Sequence, residues 1–176
     1  MTRQINILGI IALGSFILGM IPDVGMWFSI VGMILTMILY NQVDKLGYGT
    51  NLFKINLYQL LAVIAPVLVL SLLGIKFADS GNDRGIALVL VGLCLVLLLF
   101  LAWVNYLVAK NLSVIGQKSA NFWFKLSGSL TKAGAYTMPV LVGLLLVMLA
   151  QPIFLLGCIV YKPLDVSNNS VDKLIN

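Results

Sequence analysis

The chain has 176 residues, of which 61% are hydrophobic and only 10% are charged. A soluble domain carries about 25% charged residues, so this composition excludes an ordinary water-soluble protein. The net charge of +5 does not indicate nucleic-acid binding either, because the basic residues are distributed between apolar segments and form no dense basic face.

Two apolar segments, 5–21 and 26–40, stand close together at the start of the chain. The stretch Pro22–Gly25 between them is typical of a tight turn, because Pro ends a helix and Gly permits a positive φ. As helices rising about 1.5 Å per residue, both segments come near the thickness of a hydrocarbon layer of about 30 Å. We therefore expect two short spans here, with a re-entrant hairpin as the alternative.

A third span is predicted at 55–75 and a fourth at 86–109. The fourth is the organising segment, because its 24 residues include no charge and 16 of them are Leu, Ile, Val or Phe. A helix of this length reaches about 36 Å, which is enough to cross a bilayer with some tilt. Pro66 is expected to bend the third span, which neighbouring helices can tolerate by satisfying the freed backbone groups.

The segment 110–135 is basic, with four lysines and no acid, and we expect it to be a connector on the inner side of the membrane. Lys118, Lys125 and Lys132 are spaced by seven residues, so on one helix they would form a single stripe. This spacing predicts an amphipathic helix in the membrane interface whose lysines contact lipid head groups. The alternative is an ordinary loop.

A fifth span is predicted at 136–160, so that residues 1–163 form one transmembrane domain and residues 164–176 a polar tail. With five spans and the N-terminus inside, the inner segments hold seven basic residues and the outer segments four. The inner ones are Arg3, Lys45, Lys54, Lys110, Lys118, Lys125 and Lys132, and the outer ones are Lys76, Arg84, Lys162 and Lys173. Because Lys and Arg gather on the cytoplasmic side, we expect a multi-pass protein of a prokaryotic cytoplasmic (inner) membrane with the C-terminus outside.

Few chemistry-bearing groups lie inside the predicted spans. Their cores contain no Asp, Glu, Lys or Arg, and the chain has no His, so we predict no enzyme, no cofactor and no metal site. Asn105 and Gln151 are the strongest polar groups left, and we expect them to hydrogen-bond across helices, contributing about 0.6 kcal/mol each. The alternative is that they contact a substrate. Cys94 and Cys158 are expected to pack as small hydrophobes.

Several short motifs are built from glycines and apolar residues. They are Ile7-Leu8-Gly9-Ile10, Ile21-Pro22, Leu112 with Ile115, Phe124-Lys125-x-x-Gly128, Gly134-Ala135 and Gly143. On these motifs most of the chain resembles the bacterial and archaeal integral membrane family known as domain of unknown function 996. The resemblance implies an all-helical membrane protein and transfers no activity or functional residue. The chain departs from the family at Ser129, Thr131 and Lys132, where a mostly apolar stretch is expected, which leaves the start of the fifth span open.

The sequence thus predicts an all-α, polytopic membrane protein but does not indicate its activity. The leading interpretation is a non-enzymatic accessory or scaffold subunit that packs in the bilayer against itself or another membrane protein, because glycines and amides favour close helix packing. The alternative is a small channel or carrier for a neutral or lipid-like substrate, since Pro66 and Gln151-Pro152 indicate broken helices of the kind that line transport sites. No nucleic-acid partner is expected.

Overall fold

The structure is a computed structural model that describes residues 2–61, 64, 83–138 and 142–162. These residues form helices joined by turns and contain no strand, which confirms the all-α class for the described part of the chain. The helices are α1 (Thr2–Leu18), α2 (Gly25–Asp44), α3 (residues 52–61), α4 (Asp83–Lys118), α5 (Phe122–Thr137) and α6 (Val142–Ile159).

Three described stretches of helix are long and apolar enough to cross a membrane. They are Gly25–Asp44, Val91–Lys118 and Val142–Ile159. The helix α1, with 17 residues, is apolar but shorter. The protein is therefore a membrane protein by the length and composition of its helices, but the predicted count of five spans is not confirmed. Most of the predicted third span beyond residue 61, including Pro66, lies outside the described residues, as does the tail 164–176.

The first two helices form an antiparallel hairpin. The helix α1 ends at Leu18 and α2 begins at Gly25, so the predicted turn is present, with Asp23 at φ +70°. Gly32 of α2 faces Ser15 of α1, where an added Cβ would lie 3.5 Å from the serine Cβ. Small residues thus bring the two helices together, as expected for helix packing in membranes.

The helix α5 runs antiparallel to both α4 and α6. A Cβ added at Gly116 of α4 would meet Lys125, and one at Gly128 of α5 would meet Ser113. Farther along, Gly134 of α5 faces Val147 of α6. Contacts in this order show that α5 lies between the two longer helices along its whole length. Its buried face consists of Phe124, Ser127, Gly128, Thr131, Gly134 and Ala135.

The alternative of an ordinary loop at 110–135 is therefore wrong. These residues form the end of α4 and most of α5, and only residues 119–121 separate the two helices. Asn121 starts α5, because its side-chain oxygen accepts a hydrogen bond of 2.9 Å from the backbone N–H of Trp123. The interfacial amphipathic helix is not confirmed, since α5 lies alongside α4 and α6 rather than across their ends. The single lysine stripe is also wrong, because Lys118 belongs to α4 whereas Lys125 and Lys132 belong to α5.

One end of the bundle, which we call the polar end, contains the start of α1 and the end of α6. The two meet where Gly9 lies against Cys158, and the phenols of Tyr48 and Tyr161 are hydrogen-bonded there at 2.6 Å. The C-terminal end of α4 joins them, because the Lys118 ammonium donates a 2.9 Å hydrogen bond to the Tyr48 carbonyl. The start of α1 and the end of α6 thus lie at the same end of the bundle, whereas the five predicted spans would put them at opposite ends.

Asp44 fixes the start of α3 at the same polar end. One carboxylate oxygen accepts hydrogen bonds from the Thr50 hydroxyl at 2.7 Å and from the Leu52 N–H at 2.9 Å. The other oxygen accepts one from the Phe53 N–H at 2.8 Å. A carboxylate at a helix N-terminus satisfies free N–H groups and complements the helix dipole. The residue that ends α2 thereby holds the first turn of α3 in place.

Candidate functional site

A cavity of about 230 Å³ lies among α2, α3, α4, α5 and α6. Its polar lining residues are Tyr40, Asn56, Gln59, Asn105, Ser127, Thr131 and Gln151. Its apolar lining residues are Met33, Leu60, Val108, Leu112, Val147, Ala150 and Phe154. Polar groups from five helices therefore converge on one space inside an apolar bundle.

Both amides that the sequence singled out line this cavity. Asn105 is buried on α4, and its Nδ2 donates a 2.8 Å hydrogen bond to the Leu101 carbonyl of its own helix. Within the described residues it therefore does not form the cross-helix hydrogen bond that we expected. Gln151 is half-buried on α6 and also lines the cavity.

Four further polar residues of the cavity were not predicted from the sequence. Asn56 and Gln59 come from α3, and Ser127 and Thr131 come from α5. Each pair is three or four residues apart, so both members lie on one face of their helix. That spacing within otherwise apolar or weakly polar helices is the signal that could have identified them.

The two hydroxyl groups hold α5 in place while they line the cavity. The Ser127 hydroxyl donates a 2.8 Å hydrogen bond to the Ala150 carbonyl and thereby links α5 to α6. The Thr131 hydroxyl donates a 2.8 Å hydrogen bond to the Ser127 carbonyl within α5. Because both donate their only proton to backbone oxygens, they offer an incoming molecule hydrogen-bond acceptors rather than donors.

The amides of Asn56, Gln59 and Gln151 are different. Within the described residues these three side chains form no hydrogen bond. An amide carries two donor hydrogens and one acceptor oxygen, so the three together present both kinds of group to the cavity. All three side chains are half-buried, and among the described residues no buried side-chain nitrogen or oxygen lacks a hydrogen-bond partner.

Aromatic side chains separate the cavity from the polar end. The rings of Tyr40 and Phe154, which line the cavity, have centroids 4.8 Å apart. Phe154 contacts Phe124 at 5.7 Å, and Phe124 contacts Tyr161 at 6.3 Å. Burial, followed by the hydrogen bond with Tyr48, raises the pKa of the Tyr161 phenol, so this group is neutral at physiological pH.

Charged groups do not line the cavity among the residues that the structure describes. Lys118, Lys125 and Lys132 are all exposed and lie on the outside of α4 and α5, so their predicted contact with lipid head groups stays a prediction. Across the described ranges there is also no cluster of three His, Cys, Asp or Glu side chains that could hold a metal ion. The arrangement can therefore hydrogen-bond and enclose a neutral molecule.

Pro152 interrupts the hydrogen bonding of α6 directly beside Gln151. Proline has no backbone N–H, so the carbonyl of Met148, four residues earlier, has no intrahelical donor. The helix α6 therefore lacks one backbone hydrogen bond beside a residue that lines the cavity.

No family model, curated protein or solved structure matches this chain. The resemblance to domain of unknown function 996 accordingly stays an expectation from the sequence. The fold and the cavity are the observations from which a function can be inferred.

Proposed function

We propose that this integral membrane protein binds a small neutral molecule in the cavity between α2 and α6 and carries it across the bilayer. The observation that supports the proposal is the convergence of seven uncharged polar side chains from five helices on one space. Ligand sites in helical membrane proteins are typically built between helices, with a few polar groups in an apolar lining.

A purely structural role explains these polar groups less well. Amides that serve as packing contacts pair with each other or with a neighbouring backbone, as Asn105 does. The amides of Asn56, Gln59 and Gln151 face the cavity instead. All three side chains are only half-buried, so their amides can hydrogen-bond water or a small molecule that enters the cavity.

The lining also favours a neutral ligand over an ion. Sites for charged substrates within membranes carry ionisable side chains, because an uncompensated charge is expensive to bury there. The described lining residues carry amides, hydroxyls and a phenol, none of which balances a full charge.

We further propose that the polar end faces the cytoplasm of a prokaryotic cell. Arg3, Lys45, Lys54, Lys118 and Lys162 stand at or near helix termini of this end. Lys and Arg mark the cytoplasmic side of bacterial membrane proteins, so this distribution supports an orientation with the start of α1 and the end of α6 inside. A green fluorescent protein fused after Asn176 is then expected to fluoresce, whereas a periplasmic alkaline phosphatase fused there should be inactive. The opposite pattern would reverse the proposed orientation.

Transport can be tested with the full chain reconstituted into liposomes. We expect a faster volume response to gradients of glycerol or urea than in empty liposomes, measured by stopped-flow light scattering. Gln151→Leu should remove most of the increase, because it deletes a polar group of the cavity. Gln117→Leu is the matched control, since Gln117 is exposed on α4 and does not line the cavity. Equal permeation with the two variants and with empty liposomes would count against transport.

A second candidate function, an accessory subunit, is favoured by the exposed apolar part of α4. Val91, Leu95, Val96 and Leu99 are all more than half exposed, and a Cβ added at Gly92 would meet no neighbour within 4 Å. This surface could accept a helix of a partner protein in place of lipid. Photocrosslinking from Val96 in native membranes is expected to recover one defined partner if this role applies, and lipid adducts alone would exclude it.

A further inference from the structure

We infer that the polar end binds the phosphate head group of an anionic phospholipid in the cytoplasmic leaflet. The residues assigned to this role are Lys45, Lys118 and Lys162, which we call the lysine cluster. The inference goes beyond transport and rests only on the proposed orientation of the polar end. Two observations carry it, namely the contacts that bring the three lysines together and the surplus of positive charge around them.

The contacts at the polar end join three helix ends. Lys118, the last residue of α4, donates a 2.9 Å hydrogen bond to the Tyr48 carbonyl. Tyr48 lies three residues after Lys45, in the short loop that follows α2. Its phenol is hydrogen-bonded at 2.6 Å to that of Tyr161, which directly precedes Lys162. The lysine cluster therefore combines the C-terminal ends of α2, α4 and α6, and all three of its residues are exposed.

The acidic group at this end is engaged elsewhere. Asp44 is the one acidic residue that the described ranges place there, beside five basic ones. Its carboxylate oxygens accept hydrogen bonds from Thr50 and from the N–H groups of Leu52 and Phe53, so they face the start of α3. The hydrogen-bond partner of Lys118 is a neutral carbonyl, which leaves the charge of the ammonium uncompensated.

The helix dipoles do not offset this charge either. The N-termini of α1, α3 and α5 lie at the polar end together with the C-termini of α2, α4 and α6. An N-terminus carries about half a positive charge and a C-terminus about half a negative one, so three of each cancel. The polar end accordingly keeps a positive surplus that attracts an anion.

The position of the lysine cluster along the helices suits a lipid rather than a soluble anion. With 18 residues α6 is about 27 Å long, close to the hydrocarbon thickness of about 30 Å. A helix of this length ends where the lipid phosphates lie, and Lys162 follows that end. Anionic lipids make the cytoplasmic leaflet negative, and basic groups between helix ends bind their head groups. A phospholipid can reach the lysine cluster while its acyl chains stay in the bilayer.

The experiment compares phosphatidylglycerol with phosphatidylcholine of the same acyl chains. Each lipid is titrated into the purified full chain in mild neutral detergent, and the rise of the thermal midpoint measures binding. We expect phosphatidylglycerol to act at a concentration at least tenfold lower than phosphatidylcholine, because the second lipid has no net charge. Equal effects of the two lipids would overturn the inference.

Substitutions test the three lysines. One lysine beside an anionic surface contributes about fivefold in affinity, so the triple variant Lys45→Gln, Lys118→Gln and Lys162→Gln should bind phosphatidylglycerol at least tenfold more weakly. Lys132→Gln is the matched control, because it removes the same charge from an exposed position about 15 Å along α5 from its start at the polar end. An equal loss with the control would show that total charge matters instead of the lysine cluster.

Two further variants keep the test valid if the triple variant fails to fold. Lys162→Gln leaves the Lys118 hydrogen bond in place and should weaken binding about fivefold. Lys118→Arg keeps the charge and should bind phosphatidylglycerol like the parent protein. Unchanged binding by Lys162→Gln would overturn the assignment of that residue to the site.

Soluble anions separate a lipid from free phosphate. Inorganic phosphate and glycerophosphoglycerol, the head group without acyl chains, should not raise the thermal midpoint at the concentrations at which the lipid does. The same rise with either of them would overturn the choice of a lipid. Phosphatidylglycerol binding without glycerol or urea flux would support the lipid site and overturn transport, whereas flux without such binding would overturn the lipid site and leave transport standing.

Discussion

The two halves of α4 meet different surroundings although they belong to one continuous helix of about 54 Å. In Val91–Ala102 the side chains are largely exposed, with Val96 and Leu99 64% and 63% accessible. In Trp103–Lys118 one face is buried and contains Val104, Asn105, Val108, Ala109, Leu112 and Ile115. The first half of α4, which is the more apolar, is therefore the less buried. The second half, which has more polar residues, contributes to the core.

This contrast follows from lipid acting as the solvent. Between helices in a bilayer there is no hydrophobic driving force, because lipid tails are as apolar as leucine. Close packing then depends on small residues and on hydrogen bonds, which the second half of α4 supplies through Ser113 and Gly116 against α5. Large aliphatic residues serve best where they face the lipid.

The largest expected effect comes from truncating one leucine in each half. Leu112→Ala should lower the free energy of unfolding by about 2–3 kcal/mol, because Leu112 is 1% exposed and its removal opens a void. Leu99→Ala should change it by less than about 0.5 kcal/mol, since Leu99 is exposed. Reversible unfolding of both variants in detergent measures the difference. Similar losses at the two sites would show that the first half of α4 is also packed against protein.

Glycine substitutions on the same helix sharpen the comparison. An alanine Cβ at Gly116 would lie 2.6 Å from the backbone nitrogen of Lys125, so Gly116→Ala should destabilise the protein by about 1–3 kcal/mol through overpacking. Gly92→Ala meets no neighbour within 4 Å and should stabilise the helix by up to about 1 kcal/mol. Shifts of the thermal midpoint in opposite directions are the expected readout. A destabilising Gly92→Ala would mean that a neighbour covers that site.

The smallest effect concerns the polar end, where the second half of α4 reaches Tyr48 through Lys118. Tyr161→Phe removes the hydrogen bond between the two phenols and should cost about 1 kcal/mol. The raised pKa of Tyr161 adds a pH dependence. The stability that follows from the raised pKa is fully present below pH about 10, where the phenol titrates in the unfolded protein. It is lost as the pH rises above that value, because the unfolded state then releases the proton more easily than the folded state.

Thermal midpoints measured between pH 8 and pH 11 test the sign of this dependence. The decline above pH 10 should be shallower for Tyr161→Phe than for the parent protein. Identical pH profiles for the two proteins would show that the Tyr161 phenol does not contribute to this decline.

The helical class and the position of α4 could be predicted because long uncharged apolar runs have few alternatives to a membrane helix. Asn105 and Gln151 could be singled out by the same logic, since polar groups in apolar helices stand out. The course of α5 could not be predicted, because its core positions are filled by Ser127, Gly128 and Thr131, which a hydropathy scale treats as unfavourable in a span. Gly128 is buried because it lets α5 approach α4 closely, and Ser127 and Thr131 are buried because their hydroxyls donate hydrogen bonds to backbone carbonyls.

The expected side of the C-terminus depends on the same count, since every crossing that is added or missed changes the predicted side of all later residues. The sequence also could not predict that Asn56 and Gln59 line the same cavity as Gln151. Periodicity along one helix identifies a face, but it does not tell which other helix that face meets.

Pro152 lies inside α6 and makes this helix easier to bend. Proline has no backbone N–H, so bending the helix at this point breaks one hydrogen bond fewer than bending a regular helix. The segment before the proline can therefore tilt at a lower energetic cost. That segment carries Gln151, whereas Phe154 beyond the proline is anchored among aromatic rings. If the protein is the carrier proposed above, a pivot between the cavity-lining amide of Gln151 and the buried ring of Phe154 would let one cavity open alternately to the two sides of the membrane.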